Sequence, residues 1–442
     1  MSWLSRLFGQ DRNTHRPTPI ETPPVTVIPG PAKPPVKGES LPGFHSSAVE
    51  RLQTTRGGGL ERVRVKLRDA FTPSQPVADP DMFAGRQAML ATLIRALEDQ
   101  KLHVVLFGDR GIGKTSILHV LAQQAVRARY LVHYASCGEE VDFDDMFRNV
   151  ATAVPLLYHA AHSPVGGDAG ASGTLADLLP PGPVTPQAIS DLFSHLTGTR
   201  LIIIIDEFDR SPPGVFRRQI AELVKVLSDR SIRVQLLIAG VGSNLTELVE
   251  MIPSIRRNIL GLAVPGMTED EIAALLRNGE RVSGVVFDER VIRTIVSLAA
   301  GSPYIAGLLG QHAGISAVNR GTADVSVEDV ASAIAGAADE VRHRISEDSL
   351  YVLAKAIGDG HQTQLAQLAH AALRHGGRFD AGALTNPSLD ADARARFLAQ
   401  VADAYRLIER IESDPAGRYR FREESVPMYL WMVEARDNLT RG

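Results

Sequence analysis

The chain has 442 residues, a formal net charge of −4 and a single cysteine. At roughly 100 to 200 residues per domain, this length predicts two or three folded units, and the small net charge argues against a protein that coats nucleic acid by bulk attraction. Cys137 alone can form neither an internal disulfide nor a cysteine-rich metal site, which fits a reducing cytosol. No apolar run reaches the roughly 18 to 20 residues of a membrane span, and the N-terminus lacks a secretion signal, so we expect a cytoplasmic protein.

The first 80 residues are expected to form a tether rather than a domain. Residues 1–9, MSWLSRLFG, place four apolar side chains on one face of a short helix: Trp3, Leu4, Leu7 and Phe8. This segment either docks weakly on a membrane or a partner, which would make the protein peripheral there, or is a frayed terminus. Nine prolines follow between Arg16 and Gly43 and favour extended chain, as a passive spacer or a partner-binding stretch. We therefore predict a disordered, Pro-rich tether over residues 1–80, with folded structure from about Asp81.

Apolar runs of strand length alternate with amphipathic helical patterns over residues 81–266. The runs are LHVVLFG, YLVHYAS, LIIIIDEFD and VQLLIAG. This alternation predicts an α/β fold in which a parallel sheet carries helices on both faces, and the wholly apolar LIIII indicates a central strand. A Gly/Ala/Pro-rich stretch from about His162 to Pro183 predicts a surface insertion or a loop.

Helical patterns replace the strands after Met267. Thr268, followed by acidic residues, is a predicted helix N-cap, and residues 267–345 are predicted to form a helical lid. Residues 346–442 are predicted to form a mostly helical, winged-helix-like domain. Near its end the alternating segment GRYRFRE puts three arginines on one face of a strand: Arg418, Arg420 and Arg422. These arginines could contact DNA phosphates, but the balanced charge of this domain also fits a contact with protein.

The segment GDRGIGKTS follows an apolar strand and opens a helix, which is the context in which a phosphate-binding loop is expected. Its glycines allow backbone N–H groups to point at phosphate oxygens. Lys114 is predicted to hold the β- and γ-phosphates, and Thr115 to give its hydroxyl to Mg²⁺. The nucleotide-binding residues are therefore predicted to be Gly108, Asp109, Arg110, Gly111, Ile112, Gly113, Lys114, Thr115 and Ser116.

Two adjacent carboxylates end the apolar strand LIIIID. Sheets of this class bind ligands at the carboxyl ends of their strands. Asp206 is therefore predicted to bind Mg²⁺, and Glu207 to polarise the attacking water. The nearby Asp209 and Arg210 fit a helix cap or a salt bridge better than catalysis.

Further candidates follow the next strand. Ser243 or Asn244 could contact the γ-phosphate, although either could instead cap the helix that follows. Arg256 or Arg257 could stabilise charge on a transferring phosphoryl group, from the same subunit or a neighbour, or be surface arginines. Asn244 and Arg257 are the catalytic candidates of these two pairs.

Together these motifs resemble the AAA+ superfamily, and within it the bacterial branch near origin-recognition-like ATPases and STAND signalling NTPases. The resemblance covers about residues 82–340 and depends on FAGRQAMLATLIRAL, GDRGIGKT, IIIIDEFD, LLIAGVGSN, SIRRN and GSPYIAGLL. It implies that Gly85 and Arg86 lie near the adenine and that Pro303 of the lid packs against the nucleotide. It also implies that Asn244, or Ser243 in second place, acts as sensor 1. The lid helix carries no arginine where origin-recognition relatives have sensor 2, which implies slow turnover.

The sequence thus predicts a protein that binds ATP and Mg²⁺, with ATP preferred to GTP on the resemblance alone. Its expected function is a slowly hydrolysing ATP switch that controls an unidentified protein partner or homo-oligomer. The alternatives are a DNA-binding or DNA-remodelling ATPase that uses its C-terminal domain, and a membrane-tethered ATP-binding adaptor that uses residues 1–9.

Overall fold

The structure, a computed structural model, describes residues 59–73, 75–77, 82–162, 173–242, 257–375, 377–386, 390–411, 414 and 416–441. The segment MSWLSRLFG and the proline-rich stretch after it lie outside the described residues. Among the helices that are described, none is long and apolar enough to cross a membrane.

A five-stranded parallel sheet forms the centre of the first folded layer, in the order β2-β3-β4-β1-β5. The predicted α/β class and the four predicted strands are confirmed. The fifth strand was not predicted, because its sequence ILGLA is short and interrupted by a glycine. The strands are β1 His103–Gly108, β2 Leu131–Ser136, β3 Leu201–Asp206, β4 Val234–Val241 and β5 Ile259–Ala263.

Helices cover both faces of this sheet. They are α2 Gln87–Glu98, α3 Lys114–Arg127, α4 Phe143–Thr152, α5 Pro186–Ser194 and α6 Val215–Asp229. All six residues of β3 are buried. Ile203 and Ile205 join the core under α4, α5 and α6, whereas Ile202 and Ile204 join the core under α2 and α3. Since successive side chains of a strand point to opposite faces, the LIIII run fills both cores, as its composition predicts.

A helical layer follows the sheet. Its helices are α7 Glu269–Ser283, α8 Glu289–Ala299, α9 Pro303–Asn319 and α10 Val327–Arg342, and its short parallel strands are β6 Val286–Phe287 and β7 Asp324–Val325. Thr268 is the N-cap of α7, as predicted: its hydroxyl accepts the N–H of Glu271 at 3.2 Å, and the Glu271 carboxylate accepts the N–H of Thr268 at 2.9 Å.

One helix corrects the expectation that folded structure begins near Asp81. Helix α1, Gly59–Ala70, packs on α7 and α9 of the lid. Leu67 is fully buried, and Phe71 lies so close to Gly279 that a Cβ added there would be 1.9 Å from the Phe71 ring. The signal was present in the helical spacing of these apolar residues, but the glycines before α1 and the charges within it obscured it.

The last hundred residues form a third core. Its helices are α11 Glu347–Ala356, α12 Gln362–Arg374, α13 Ala391–Asp403 and α14 Ser425–Arg441, and its antiparallel strands, in the order β8-β10-β9, are β8 Arg378–Phe379, β9 Ile408–Arg410 and β10 Tyr419–Phe421. Helix α14 belongs to two cores. Val426 and Leu430 pack in this third core, while Met432 and Ala435 pack in the lid core. The C-terminal region is therefore attached to the lid through one helix, and its resemblance to a winged helix stays a prediction.

Removing the Phe71 ring tests whether α1 is part of the lid. Because the ring is buried against Gly279 and Gly310, we expect Phe71→Ala to lower the free energy of unfolding by about 3 to 5 kcal/mol. Urea denaturation measures this value, with the exposed Lys66→Ala of the same helix as the control. A loss below about 1 kcal/mol would mean that the helix is not part of the lid core.

A buried histidine gives the fold a pH dependence. The ring of His103 is 2 % exposed and accepts the N–H of Leu236 at 2.9 Å, and burial lowers its pKa to about 4. The folded chain therefore stays neutral here while the unfolded chain, with a pKa near 6.5, takes up a proton. The contribution of His103 to the free energy of unfolding is therefore fully present above pH 6.5. It falls by about 3 kcal/mol in total as the pH falls towards 4.

We expect His103→Gln, whose amide oxygen can replace the ring as acceptor, to remove this part of the pH dependence. The measurement is unfolding by urea at pH values from 7 to 4, with His343→Gln on the exposed surface as the control. An unchanged pH profile in the His103 variant would contradict the argument.

Candidate functional site

The strands end together at one edge of the sheet, and most of the candidate residues lie at or just after these ends. The register pairs Gly108 with Val241 and Ser136 with Asp206. Because β4 lies between β1 and β3, one strand separates the loop after β1 from the carboxylates after β3. Open parallel sheets bind their ligands at this edge, outside the carboxyl ends of the strands.

The loop between β1 and α3 is a turn that glycine makes possible. Gly111 and Gly113 have φ angles of 71° and 94°, and Gly113 is the N-cap of α3. L-residues rarely adopt these angles, so the glycines permit a loop whose N–H groups surround an anion at the start of a helix. Ile112 points the other way and is buried in the core beneath the loop.

The Lys114 side chain is held inside this loop. Its Nζ donates to the carbonyls of Gly108 at 2.9 Å and Asp109 at 2.7 Å. Burial lowers the pKa of the Lys114 amine, while the charges of Asp209, Asp109 and Asp206 oppose that change. The ammonium is thus partly desolvated, which strengthens its attraction for any anion placed over the loop.

The carboxylate of Asp206 receives three hydrogen bonds. Its Oδ2 accepts from the hydroxyl of Thr115 at 2.8 Å and from that of Tyr134 at 2.5 Å. Its Oδ1 accepts from the N–H of Glu207 at 2.8 Å. Asp206 is only 4 % exposed, so its carboxylate has lost most of its contact with water. The three donors supply hydrogen bonds in place of those that water would make.

Thr115 and Asp206 suit Mg²⁺ as a donor set. The ion prefers hard oxygen ligands, keeps several waters, and is bound by one or two carboxylates together with substrate phosphates. Among the described residues, no group of three or more His, Cys, Asp or Glu side chains could hold a metal. Thr115 and Asp206 supply two hard oxygen ligands, which fits a cation whose other ligands are water and phosphate.

Glu207 stands in a left-handed conformation, with φ of 53°. Its Oε2 accepts from the Ser136 hydroxyl at 3.2 Å and from Nη1 of Arg210 at 2.9 Å. Asp209 accepts the N–H of Val241 at 2.7 Å. Arg210 thus forms the salt bridge that its position suggested, and its partner is the candidate catalytic glutamate.

The Gly85–Arg86 element is tied to the lid. Its φ angles are 67° and 61°, and the N–H of Arg86 donates to Oε1 of Glu271 at 2.7 Å. Nη2 of Arg86 donates to the carbonyl of Pro265 at 2.7 Å, whereas the buried Nη1 has no partner within the described ranges. Burial lowers the pKa of Arg86, and Glu271 opposes that change. One buried nitrogen of Arg86 is therefore left without a partner among the described residues.

The N-terminus of α9 lies against the phosphate loop. A Cβ added at Gly113 would be 3.6 Å from Cγ of Pro303, and one added at Gly111 would be 3.6 Å from Cβ of Tyr304. Ser302 caps the helix by accepting the N–H of Ile305 at 3.3 Å. The GSPY element, predicted to face a nucleotide, is thus in contact with the loop.

The C-terminal region also reaches the loop. Nη1 of Arg110 donates to Oε2 of Glu424 at 2.9 Å, just before α14. Burial raises the pKa of Asp109, and the charges of Lys114 and Arg378 oppose that rise. Since Arg378 belongs to β8, two residues of the loop feel charges from the C-terminal region.

Ser116 and Arg257 are placed less favourably than the other described candidates. The hydroxyl of Ser116 accepts the N–H of Val77 at 3.1 Å, so it holds the chain that leads into the sheet. Asn244, Ser243 and Arg256 lie outside the described residues. Arg257 is exposed and lies two residues before β5, whose first residue pairs with His103 at the start of β1. At about 3.3 Å per residue, the length of β1 separates Arg257 from its own phosphate loop by on the order of 16 Å.

Sequence reasoning missed four residues that contact the site. Tyr134 and Ser136 lie in the predicted strand YLVHYAS, and the parallel pairing of this strand with LIIIID would have placed them beside Asp206 and Glu207. Glu271 is among the acidic residues that follow the predicted N-cap Thr268, but nothing in the sequence indicated its bond with Arg86. No local pattern indicated Glu424, because its contact spans more than 300 residues.

The fold and the site together define a nucleotide-binding protein of the P-loop class. Residues 82–238 match the family described as AAA ATPase domain. The phosphate loop and the acidic end of β3 both lie inside this range. The predicted AAA+ resemblance is therefore confirmed, while its narrower STAND branch stays a prediction.

Several solved structures are similar to this chain. Cdc6p from Pyrobaculum aerophilum is 14% identical with a TM-score of 0.43, and the alignment covers 84% of this chain and 98% of that one. The Walker-type ATPase of Pyrococcus abyssi is 14% identical with a TM-score of 0.49 over 82% and 99%. The RuvB Holliday junction branch migration motor of Thermotoga maritima is 15% identical with a TM-score of 0.40 over 82% and 97%. No curated protein matches the sequence.

Proposed function

We propose that the protein is an ATP-binding and ATP-hydrolysing molecular switch whose nucleotide state controls a protein partner or self-assembly. The observation that carries this proposal is the contact of one phosphate loop with both later layers of the chain. Gly113 lies against Pro303 of the lid, and Arg110 pairs with Glu424 of the C-terminal region. A ligand that enters the loop must therefore alter contacts made by both layers.

The residues have separate roles in this proposal. The loop N–H groups and Lys114 bind the phosphates, and Thr115 and Asp206 hold Mg²⁺. The cation neutralises the charge that develops on the phosphates. Glu207 accepts a hydrogen bond from the attacking water and orients it. Arg86, with its unpartnered Nη1, contacts the nucleotide from the side of the lid.

The contacts of the catalytic groups favour slow turnover. Lys114 donates to two carbonyls of its own loop, and Glu207 is paired with Arg210. Lys114 must exchange its two carbonyl bonds before it reaches a phosphate, and the pairing with Arg210 keeps one oxygen of Glu207 occupied. Arg257 lies too far from its own loop to stabilise the transferring phosphoryl group, so any such role belongs to a neighbouring subunit.

The DNA-remodelling alternative receives less support from the C-terminal strands. Nε of Arg418 donates to Asp414 at 2.7 Å, and Arg420 pairs with Glu409 at 2.6 Å. These acidic partners neutralise two of the three arginines that were expected to contact phosphates, which makes a protein contact the better proposal. The membrane-adaptor alternative depends on residues 1–9, which lie outside the described residues.

One prediction of the proposed function concerns ATP turnover by the purified protein. We expect Lys114→Ala to abolish ATP binding, because it removes the buried cation of the loop. Glu207→Gln should keep ATP binding and lower the hydrolysis rate by about 100-fold or more, because the amide cannot accept a proton. The exposed Glu222→Gln on α6 is the matched control and should hydrolyse ATP like the wild type.

The same assay separates the alternatives when it is run with and without duplex DNA and at several protein concentrations. Turnover that rises with protein concentration would support a trans-acting Arg257, and turnover that rises only with DNA would favour the remodelling function. ATP binding that survives Lys114→Ala would contradict the proposed site. Hydrogen exchange in residues 423–437 that ATP leaves unchanged in Glu207→Gln would contradict the switch.

Another prediction of the proposed function concerns the ion pair between Arg110 and Glu424. Their side chains are 75% and 62% exposed, so the pair is weak enough for phosphates to compete for Arg110. We expect Glu424→Ala to free this arginine and raise ATP affinity by about threefold. Equilibrium titration with ATP measures the change, with Glu409→Ala, which breaks the similar pair with Arg420, as the control. Equal affinities of wild type and Glu424→Ala would show that the pair does not respond to nucleotide.

A further inference from the structure

The hydroxyl of Tyr134 points from the edge of the sheet into the candidate site. Tyr134 lies on β2, which is an edge strand, and its side chain is half-buried. Its ring lines an open cavity of about 430 Å³ between β2 and the outer face of α3. A phenol at this position could bond to water through the cavity, yet its hydroxyl donates to Oδ2 of Asp206 at 2.5 Å.

The ring is held in this orientation by a neighbour on α3. The imidazole of His119 stacks on the Tyr134 ring with centroids 4.7 Å apart and planes at 20°. Stacking holds the plane of the phenol, which keeps its oxygen in place beside Asp206. The orientation of the Tyr134 ring therefore depends on β2, which pairs with the acidic strand β3, and on α3, which follows the phosphate loop.

Tyr134 and Thr115 donate to the same carboxylate oxygen, but their hydroxyls differ in what else they can bind. Both hydroxyls donate to Oδ2 of Asp206. When Thr115 gives a lone pair to a cation, its hydrogen bond to Asp206 must adjust. Tyr134 binds no cation, so its hydrogen bond to Asp206 can remain.

We infer that Tyr134 is a positioning residue for Mg²⁺: its hydroxyl fixes the Asp206 carboxylate in the orientation that the cation requires. This inference rests on the proposed function, since it concerns the same site. Groups that hydrogen-bond to metal ligands orient them, and their removal typically weakens metal binding by about 10- to 100-fold. Tyr134 touches neither the nucleotide nor the reacting atoms in this inference and acts only through Asp206.

The test is the Mg²⁺ dependence of ATP binding by the full chain. Calorimetric titration with ATP in EDTA and at a series of free Mg²⁺ concentrations gives the Mg²⁺ concentration of half-maximal effect. We expect Tyr134→Phe, which keeps the ring and its stacking, to raise this concentration about tenfold or more and to leave ATP affinity in EDTA unchanged. Tyr130→Phe, whose hydroxyl bonds to Glu98 at 3.3 Å just before β2, is the matched control and should behave like the wild type.

Each outcome decides the inference. An unchanged Mg²⁺ dependence in Tyr134→Phe would overturn it, and so would an equal loss of ATP affinity with and without Mg²⁺, because that loss would indicate a merely structural role. If Tyr134→Phe does not fold, His119→Ala loosens the ring while it keeps the phenol, and a smaller shift in the same direction is expected. No shift there would overturn the inference. A wild-type chain that binds no ATP would overturn the proposed function and this inference together.

Discussion

The buried carboxylate of Asp206 is the group on which the site depends. Asp206 is 4 % exposed and lies at the end of a central strand. Its carboxylate is stable there only when hydrogen-bond donors of the protein replace water. Those donors come from three places: the first turn of α3, the edge strand β2, and the backbone of Glu207. Satisfying one carboxylate thus fixes the phosphate loop, the edge of the sheet and the catalytic candidate relative to each other.

The lid and the C-terminal region are joined to this centre by a few contacts of different strength. Pro303 packs directly on the phosphate loop, and Arg86 is bonded to Glu271, so the lid is tied to the sheet by burial and by hydrogen bonds. The C-terminal region touches the loop through exposed charges, which solvent screens. Helix α14 connects both layers, since Met432 packs in the lid and Leu430 in the C-terminal core. A change at the loop can therefore reach the C-terminal region directly or through the lid.

The sequence predicted those parts of the site whose residues are close together along the chain. GDRGIGKT and LIIIIDE each carry a motif on a predicted strand end, and the structure places both at one edge of the sheet. It could not predict partners that meet only after folding, such as Arg110 with Glu424, because surface charges have many alternative partners. Phe71 was missed for a different reason: its spacing from Leu67 fits a helix, but no local pattern shows that its partners Gly279 and Gly310 leave room for a ring.

The pairing of Glu207 with Arg210 bears on the proposed switch, because it holds part of the carboxylate that is proposed to orient water. A general base must have a free lone pair directed at water, and in this carboxylate Oε2 accepts from both Ser136 and Arg210, so that Oε1 is the oxygen left for the water. The ion pair is half-exposed, so its loss costs little, and the arrangement of the nucleotide and its lid can decide whether Glu207 is released. Hydrolysis would then report the closure of the site around ATP, and the lifetime of the ATP state would be set by how often that closure frees the base.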